Sequence, residues 1–220
     1  MGKDKLRRFA ENKTFPHVFQ PAMTYPQPDF ELKCKWASFF RNANPITLEL
    51  GCGRAEYTTA LSVMMPERNF IGIDWKGARI WKGAKTTHDN GQSNVAFLRI
   101  LISSISSFFS KEDCVDEIWI TFPDPQPRDS REHRRLTSPE FLDRYRSFAS
   151  QGCVVHLKTD SKLLYDYTLD VISSQNLKVL MQTDNLYQSG LVNDKLSIKT
   201  TYEKIWLSQG LPIHYVSFVL

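Results

Sequence analysis

The stretch from Ile46 to Asp74, ITLELGCGRAEYTTALSVMMPERNFIGID, limits what this chain can fold into more than any other part of it. Ile46 to Leu50 reads as a short buried strand that breaks at Gly51, Cys52 and Gly53, where the backbone must turn sharply and come close to something. Tyr57, Ala60, Leu61, Met64 and Met65 then recur at helical spacing, and Pro66 limits the helix. Phe70 to Ile73 reads as a second strand ending in Asp74. Strand, glycine turn, helix, strand and a terminal carboxylate roughly 20 residues past the turn are the outline of a nucleotide-binding βαβ unit.

Each part has its own task. Glycines let the main chain approach a ligand without a Cβ in the way, and the following helix offers unpaired N–H groups. Asp74 can accept both hydroxyls of a ribose, or it can cap a helix. The third small position of the dinucleotide fingerprint is missing, because Tyr57 and Thr58 stand where close helix packing wants glycine, and this disfavours NAD. Glu49 is a carboxylate inside an apolar strand, costly to bury without a partner. The ammonium of a methionine moiety would serve, as would a lysine or a backbone amide.

A length of 220 residues suits one well-cored α/β domain and is short for two. No segment has the apolar length needed to cross a bilayer, and MGKDKLRRF carries charge with no apolar core behind it, so a cytoplasmic location is expected. Cys34, Cys52, Cys114 and Cys153 form no CxxC pair and the five histidines show no metal spacing, so neither disulfide nor metal is expected. Lys and Arg total 28 against 24 acids, a net charge of +4, so the clustering of charge matters more than its sum. It clusters at Lys3 to Arg8 and at Arg128 to Arg135. Residues 1–30, rich in Pro, Lys and Arg without a sustained period, read as a basic, extended or mobile arm ahead of a single domain over 31–220.

Within that domain, helices are expected over Phe30–Phe40, Trp75–Asn90, Ile102–Phe109 and Asp160–Gln175. Another starts at Ser138 or Thr137, with Pro139 just inside, and runs to about Ala149. Strands are expected over Val95–Leu101, Val115–Phe122, Gly152–Thr159, Leu177–Thr183 and Ile213–Leu220, with a loop-rich portion from Asp184 to Thr201. Such alternation implies a mostly parallel sheet covered on both faces, with ligands beyond the carboxyl ends of its strands.

Three more stretches fall at those ends. TFPDPQPRDSREHRRL, Thr121 to Leu136, delivers Asp124 in a rigid loop between Pro123 and Pro125, then adds Arg128, Arg131, Arg134 and Arg135, which suit phosphates. HLKTDS, His156 to Ser161, ends a strand at Thr159 and Asp160. Asp160 is either a ligand or a helix cap, and His156 reads as a satisfied core residue. KTTYEK, Lys199 to Lys204, gathers hydroxyls and a glutamate on what reads as a loop.

LELGCGRA, GIDW, FPDPQPRDSREHRR, TDSKLLY and TTYE, in that order from Ile46 onward, resemble the motifs of the bacterial-type tRNA (guanine-N7)-methyltransferases, which use S-adenosylmethionine. The resemblance implies a Rossmann-like class I S-adenosylmethionine-dependent methyltransferase fold, an α/β architecture with a mostly parallel seven-stranded sheet and helices on both faces. It implies that Glu49, Gly51 and Gly53 hold the methionine end of the donor, that Asp74 holds its ribose, and that Leu101 stands within a residue or so of the adenine position. Asp124 would sit at the methyl-transfer centre, with Arg128, Asp160, Thr200, Thr201, Tyr202 and Glu203 addressing the guanosine or the tRNA. The expected reaction is methyl transfer to N7 of a guanine in the tRNA variable loop, with no metal and no membrane; monomer and homodimer both stay open. Leu101 stands where the family often has an acid or amide, Gln126 replaces a tryptophan, and Asp129 and Glu132 dilute the basic run. A tRNA-binding protein that has lost catalysis on this scaffold, and an enzyme methylating an exocyclic amino group of adenine, are the alternatives.

Overall fold

The computed structural model describes residues 3–220. Its core is an eight-stranded sheet in the order β1-β4-β3-β2-β5-β6-β8-β7. The strands are β1 (Val18–Phe19), β2 (Ile46–Leu50), β3 (Asn69–Ile73), β4 (Val95–Leu98), β5 (Val115–Thr121), β6 (Ala149–Thr159), β7 (Val179–Thr183) and β8 (His214–Val219). All neighbours pair in parallel except β8, which runs antiparallel to β6 and β7. Chain order moves outward from β2 through β3 to β4, then returns to place β5 on the other flank of β2. Strand order therefore reverses between β2 and β5, the place where open α/β sheets form a ligand crevice.

The helices are α1 (Lys3–Asn12), α2 (Trp36–Phe40), α3 (Glu56–Met64), α4 (Gly77–Asp89), α5 (Pro139–Arg146), α6 (Lys162–Ser174), α7 (Asp194–Ser197) and α8 (Thr201–Ser208). They cover both faces, because side chains alternate across each strand. Ile71, Ile73, Ile118 and Ile120 pack with Trp36 of α2, Leu142 of α5 and Leu164 of α6. Phe70 and Trp119, on the intervening positions, pack with Tyr57 and Leu61 of α3 and Ile80 of α4. Burial on both sides explains why β2 and β3 are buried at every position, the polar Thr47, Glu49 and Asn69 included.

The expected start of α5 holds, where Ser138 Oγ accepts from Phe141 N and Pro139 occupies the first turn, but the helix ends at Arg146 and β6 already begins at Ala149. Three other elements differ more. The leading helix shrinks from Phe30–Phe40 to α2, because Cys34 takes a left-handed φ of 63° and interrupts it. The segment read as an extended arm is instead helical over Lys3–Asn12, and its sequel supplies β1 as an additional edge strand beside β4, so the sheet has eight strands where seven were expected. α1 is held by contacts with α4, where the buried Asn12 donates to Gly77 O at 2.8 Å and Trp81 Nε1 donates to Glu11 at 2.8 Å. Last, KTTYEK is no loop but the start of α8: Thr200 Oγ1 accepts from Glu203 N while the Glu203 carboxylate accepts from Thr200 N. Thr200-Thr-Tyr-Glu203 is a capping box, the signal that could have revealed the helix.

Candidate active site

A crevice of about 650 Å³ opens at the switch point. The turn after β2 forms its floor. Gly51 and Gly53 have φ of +73° and +55°, which permits the sharp reversal, and nothing lies within 4 Å of where a Cβ on Gly51 would project. Gly51 N and Cys52 N donate to Ile73 O at 2.8 and 2.9 Å, stitching the turn to the end of β3. Asp74, directly after β3, completes the stitch: it accepts from Gly53 N at 2.9 Å and from Lys76 N at 2.7 Å. Each of its oxygens keeps lone-pair capacity beyond those bonds.

Glu49 lies beneath this floor. Its carboxylate accepts from Thr58 N at 2.8 Å, from Thr58 Oγ1 at 2.5 Å and from Thr121 Oγ1 at 3.3 Å. It thus substitutes for the missing side-chain cap of α3, whose own cap residue, Ala55, can offer none. Burial pushes the Glu49 carboxyl up to about 7, against the opposing Thr58 hydrogen bonds. Of the three partners that the sequence allows Glu49, the backbone amide is realised directly. Glu49 meets the crevice through Thr121, which lines it.

The second wall descends from β5. Phe122 lines the crevice, and Phe122 N donates to Lys158 O at 2.8 Å. Asp124 follows by two residues, so its Cα lies within about 7 Å of that of Phe122. It is exposed, and its carboxylate accepts from Gln126 N at 3.0 Å. Phe122 and Gln126 bracket Asp124 with φ of 50° and 46°, a left-handed conformation that non-glycine residues hold only when their surroundings enforce it. At Gln126 the enforcing group is Arg135. Its guanidinium donates to Pro125 O and Gln126 O at 3.2–3.3 Å and lies 4.2 Å over the Tyr167 ring. Only 4% exposed, Arg135 is a loop clamp, correcting its reading as a phosphate ligand. Arg128, Arg131 and Arg134 stay exposed around the 3-10 turn at Asp129–Arg134.

The third wall is the start of α8. Thr200, Thr201 and Tyr202 line the crevice opposite Gly51, Gly53 and Arg54, so residues expected for substrate and for donor meet in one place. Thr201 binds α3 directly, its N and Oγ1 donating to Glu56 at 3.0 and 2.6 Å. Glu203 is corrected: it is fully buried, 2.6 Å from Lys158 Nζ, and also accepts from Tyr187 OH at 2.6 Å. A carboxylate so engaged touches no substrate; it anchors α8. Lys158 was missed in the sequence although it stands inside HLKTDS. Its Nζ, fully buried, also donates to Tyr57 OH at 3.0 Å and to Leu196 O at 2.9 Å, tying β6 to α3 and to the segment before α8.

Arg8, Arg79 and Lys82 complete the crevice from α1 and α4; the basic residues are visible in the sequence, but their convergence on the crevice exists only in three dimensions. Asp160 is half-buried beside the end of β6 and is not the cap of α6, a role taken by Ser161 Oγ. Leu101 stands outside the crevice walls, 43% exposed ahead of a 3-10 turn. His156 is indeed an engaged core residue, stacked on Trp119 at 3.9 Å and hydrogen-bonded to Tyr215 OH at 2.8 Å.

The donor set suits S-adenosylmethionine. The cavity has the size of a small-molecule site, Gly51 leaves open space, Asp74 can take ribose hydroxyls, and Glu49 is satisfied by neutral donors alone, which leaves its charge for an ammonium. Sheet order, glycine turn and acid after β3 together define a class I methyltransferase. Comparison with known proteins agrees: residues 43–216 match the family described as "Putative methyltransferase". The structure of the 16S rRNA methyltransferase KamB is similar, with a TM-score of 0.65 at 12% identity over 88% of this chain and 95% of that one, a likeness of fold. An antibiotic-related methyltransferase superposes with a TM-score of 0.61 at 16% identity, over 87% and 95%. The chain is 48% identical over 222 residues to the tRNA (guanine-N(7)-)-methyltransferase of Bacteroides fragilis, covering 100% of this chain and 87% of the relative. It is 44% identical to that of Cytophaga hutchinsonii, over 99% and 98%. This chain belongs to the tRNA (guanine-N(7)-)-methyltransferase family.

Proposed function

We propose that this protein transfers a methyl group from S-adenosylmethionine to N7 of a guanine in tRNA, with the variable loop as the site and the cytoplasm as the setting. Among the described residues no helix is long and apolar enough to cross a membrane. One observation supports the reading: the glycine turn after β2 lines one crevice with Thr121 and Phe122, the residues of adjacent β5 that lead directly into the clamped Pro-Asp-Pro loop.

Bound there, S-adenosylmethionine supplies a methyl carbon made electrophilic by its sulfonium. Guanine N7 is an acceptor with a free lone pair, so no base has to remove a proton before attack. The protein's work is alignment. Gly51 and Gly53 bring the backbone close, Asp74 takes the ribose hydroxyls, and Glu49, ionised, offsets the ammonium. Asp124 holds the donor edge of the guanine and stabilises the positive charge that grows on the purine during attack. Arg135 keeps Asp124 in place through the carbonyls of Pro125 and Gln126. Thr200, Thr201 and Tyr202 offer hydroxyls along the opposite wall, and Arg128 and Asp160 reach the nucleotide from the loop and the β6 end. The cations Arg8, Arg54, Arg79 and Lys82 suit RNA phosphates at the crevice mouth.

Labelled S-adenosylmethionine incubated with the protein and undermodified total tRNA, followed by digestion to nucleosides, tests the proposal. Label in N7-methylguanosine is expected, and Asp124→Ala should abolish it while the donor still binds. Label in an adenine amino group overturns the reaction, and near-normal turnover by Asp124→Ala removes that residue from the active centre.

A further inference from the structure

Beside the crevice, across the first turn of α4, lies a second cavity of about 410 Å³ between α1 and the ends of β3 and β4. Its walls carry four cations, Lys5, Lys76, Arg79 and Arg99, two aromatic rings, Phe9 and Trp75, and, among the described residues, no carboxylate. The acids adjacent to its lining in sequence are engaged elsewhere: Asp74 accepts from the amides of Gly53 and Lys76, and Asp4 lies 3.7 Å from the Arg7 guanidinium.

Arg99 is the centre of this pocket. Its guanidinium carbon lies 5.2 Å from the Phe9 ring and 4.8 Å from the Trp75 ring, within cation–π range of both. Its Nε is buried and has no hydrogen-bond partner among the described residues. A structural arginine normally ends on a carboxylate or carbonyl, as Arg135 does. An unpaired buried donor is destabilising, and the like charges of Lys5, Lys76 and Arg79 add repulsion. The fold nonetheless builds the arrangement deliberately: a Cβ on Gly77 would come within 2.8 Å of Phe9 and 2.9 Å of Arg99, so only glycine at the start of α4 lets α1 and Arg99 close together. Trp75 remains 45% exposed, a ring face turned to solvent beside four positive charges.

Such a site is built for an anion joined to a flat group. The cationic sulfonium of the methyl donor is the wrong charge, whereas a phosphodiester satisfies the guanidinium and its neighbours while a base stacks on the tryptophan. We propose that the α1–α4 pocket around Arg99 is an RNA-backbone anchor that grips a phosphodiester of the substrate outside the reacting guanosine. Ala78 and Arg79 line both cavities, so the anchor and the active crevice share one wall and can engage one strand. This inference rests on tRNA being the substrate.

The test compares wild type, Arg99→Gln, Arg99→Lys and the rim variant Lys5→Gln for tRNA affinity over a range of salt, for S-adenosylmethionine affinity, and for turnover at saturating tRNA. Arg99→Gln should weaken tRNA binding by about five- to tenfold and, like Lys5→Gln, reduce the slope of log affinity against log salt by about 1. Donor affinity and saturated turnover should stay at the wild-type value, and Arg99→Lys should keep the salt slope. Competition by inorganic phosphate or a mononucleotide as strong as that by tRNA would mark a free-nucleotide site and overturn the anchor, as would loss of donor affinity in Arg99→Gln. Wild type that methylates tRNA while both charge variants bind it unchanged overturns the anchor alone. Wild type that neither binds nor methylates tRNA overturns the functional reading and the anchor with it.

Discussion

Glu49 and Glu203 look alike in the sequence, each a carboxylate set among apolar and hydroxyl residues beside an element end, and both are buried in the structure. Their partners separate them. Glu203 sits 2.6 Å from the ammonium of Lys158 and also receives a tyrosine hydroxyl and a backbone amide. Glu49 receives one amide and two threonine hydroxyls, all neutral. A buried acid matched by a cation is committed to the fold, whereas a buried acid matched by neutral donors still has its charge to give. The first anchors the wall of the crevice and the second waits beneath its floor.

The largest effect that would sharpen this contrast comes from removing the cation. Lys158→Met should destabilise the protein by about 3–5 kcal/mol, because Glu203 is left charged in a dry interior. Adding Glu203→Gln should restore a large part of the loss. Chemical denaturation of the two variants measures both, and a Lys158→Met protein of wild-type stability would show that the pair is not what anchors α8.

Glu49 should instead reveal itself through pH. Its carboxyl ionises near 4.5 when unfolded and at about 7 when folded, so the folded chain holds the proton longer. The stability linked to that proton is fully present below the unfolded value and is lost as pH rises through the folded one, about 3 kcal/mol in all at 1.36 kcal/mol per unit. Glu49→Gln should flatten the melting temperature between roughly pH 5 and pH 8. Saturating S-adenosylmethionine should flatten the wild-type curve too, if the ammonium takes the charge; a slope untouched by the donor would break the distinction drawn between the two glutamates.

The same division between committed and available charge runs through the arginines of the proline loop. Arg135→Ala should cost about 1–3 kcal/mol through lost hydrogen bonds, and about 100-fold in turnover through misplacement of Asp124. Thermal unfolding and single-turnover kinetics separate those two losses. Arg131→Ala should have the smallest effect, leaving folding intact and lowering the salt slope of tRNA binding by about 1. Equal behaviour of Arg131→Ala and Arg135→Ala would contradict the clamp.

Much of this molecule was readable in one dimension because its signals are local. The strands β2, β3 and β5, the glycine turn, the acid after β3 and the Ser138-Pro139 helix start each depend on a few neighbouring residues, and each stands where it was expected. Even the missed start of α8 was written locally, in a capping box overlooked amid hydroxyls. What the sequence could not declare was pairing across distance. Lys158 meets Glu203 from 45 positions away, Arg135 turns back onto the carbonyls of Pro125 and Gln126, and α1 finds α4 across more than 60 residues. A charge run announces only that charges are present. Whether a given arginine clamps a loop, lines a crevice or faces solvent depends on which surface the fold brings against it, and that surface exists only after distant segments have packed.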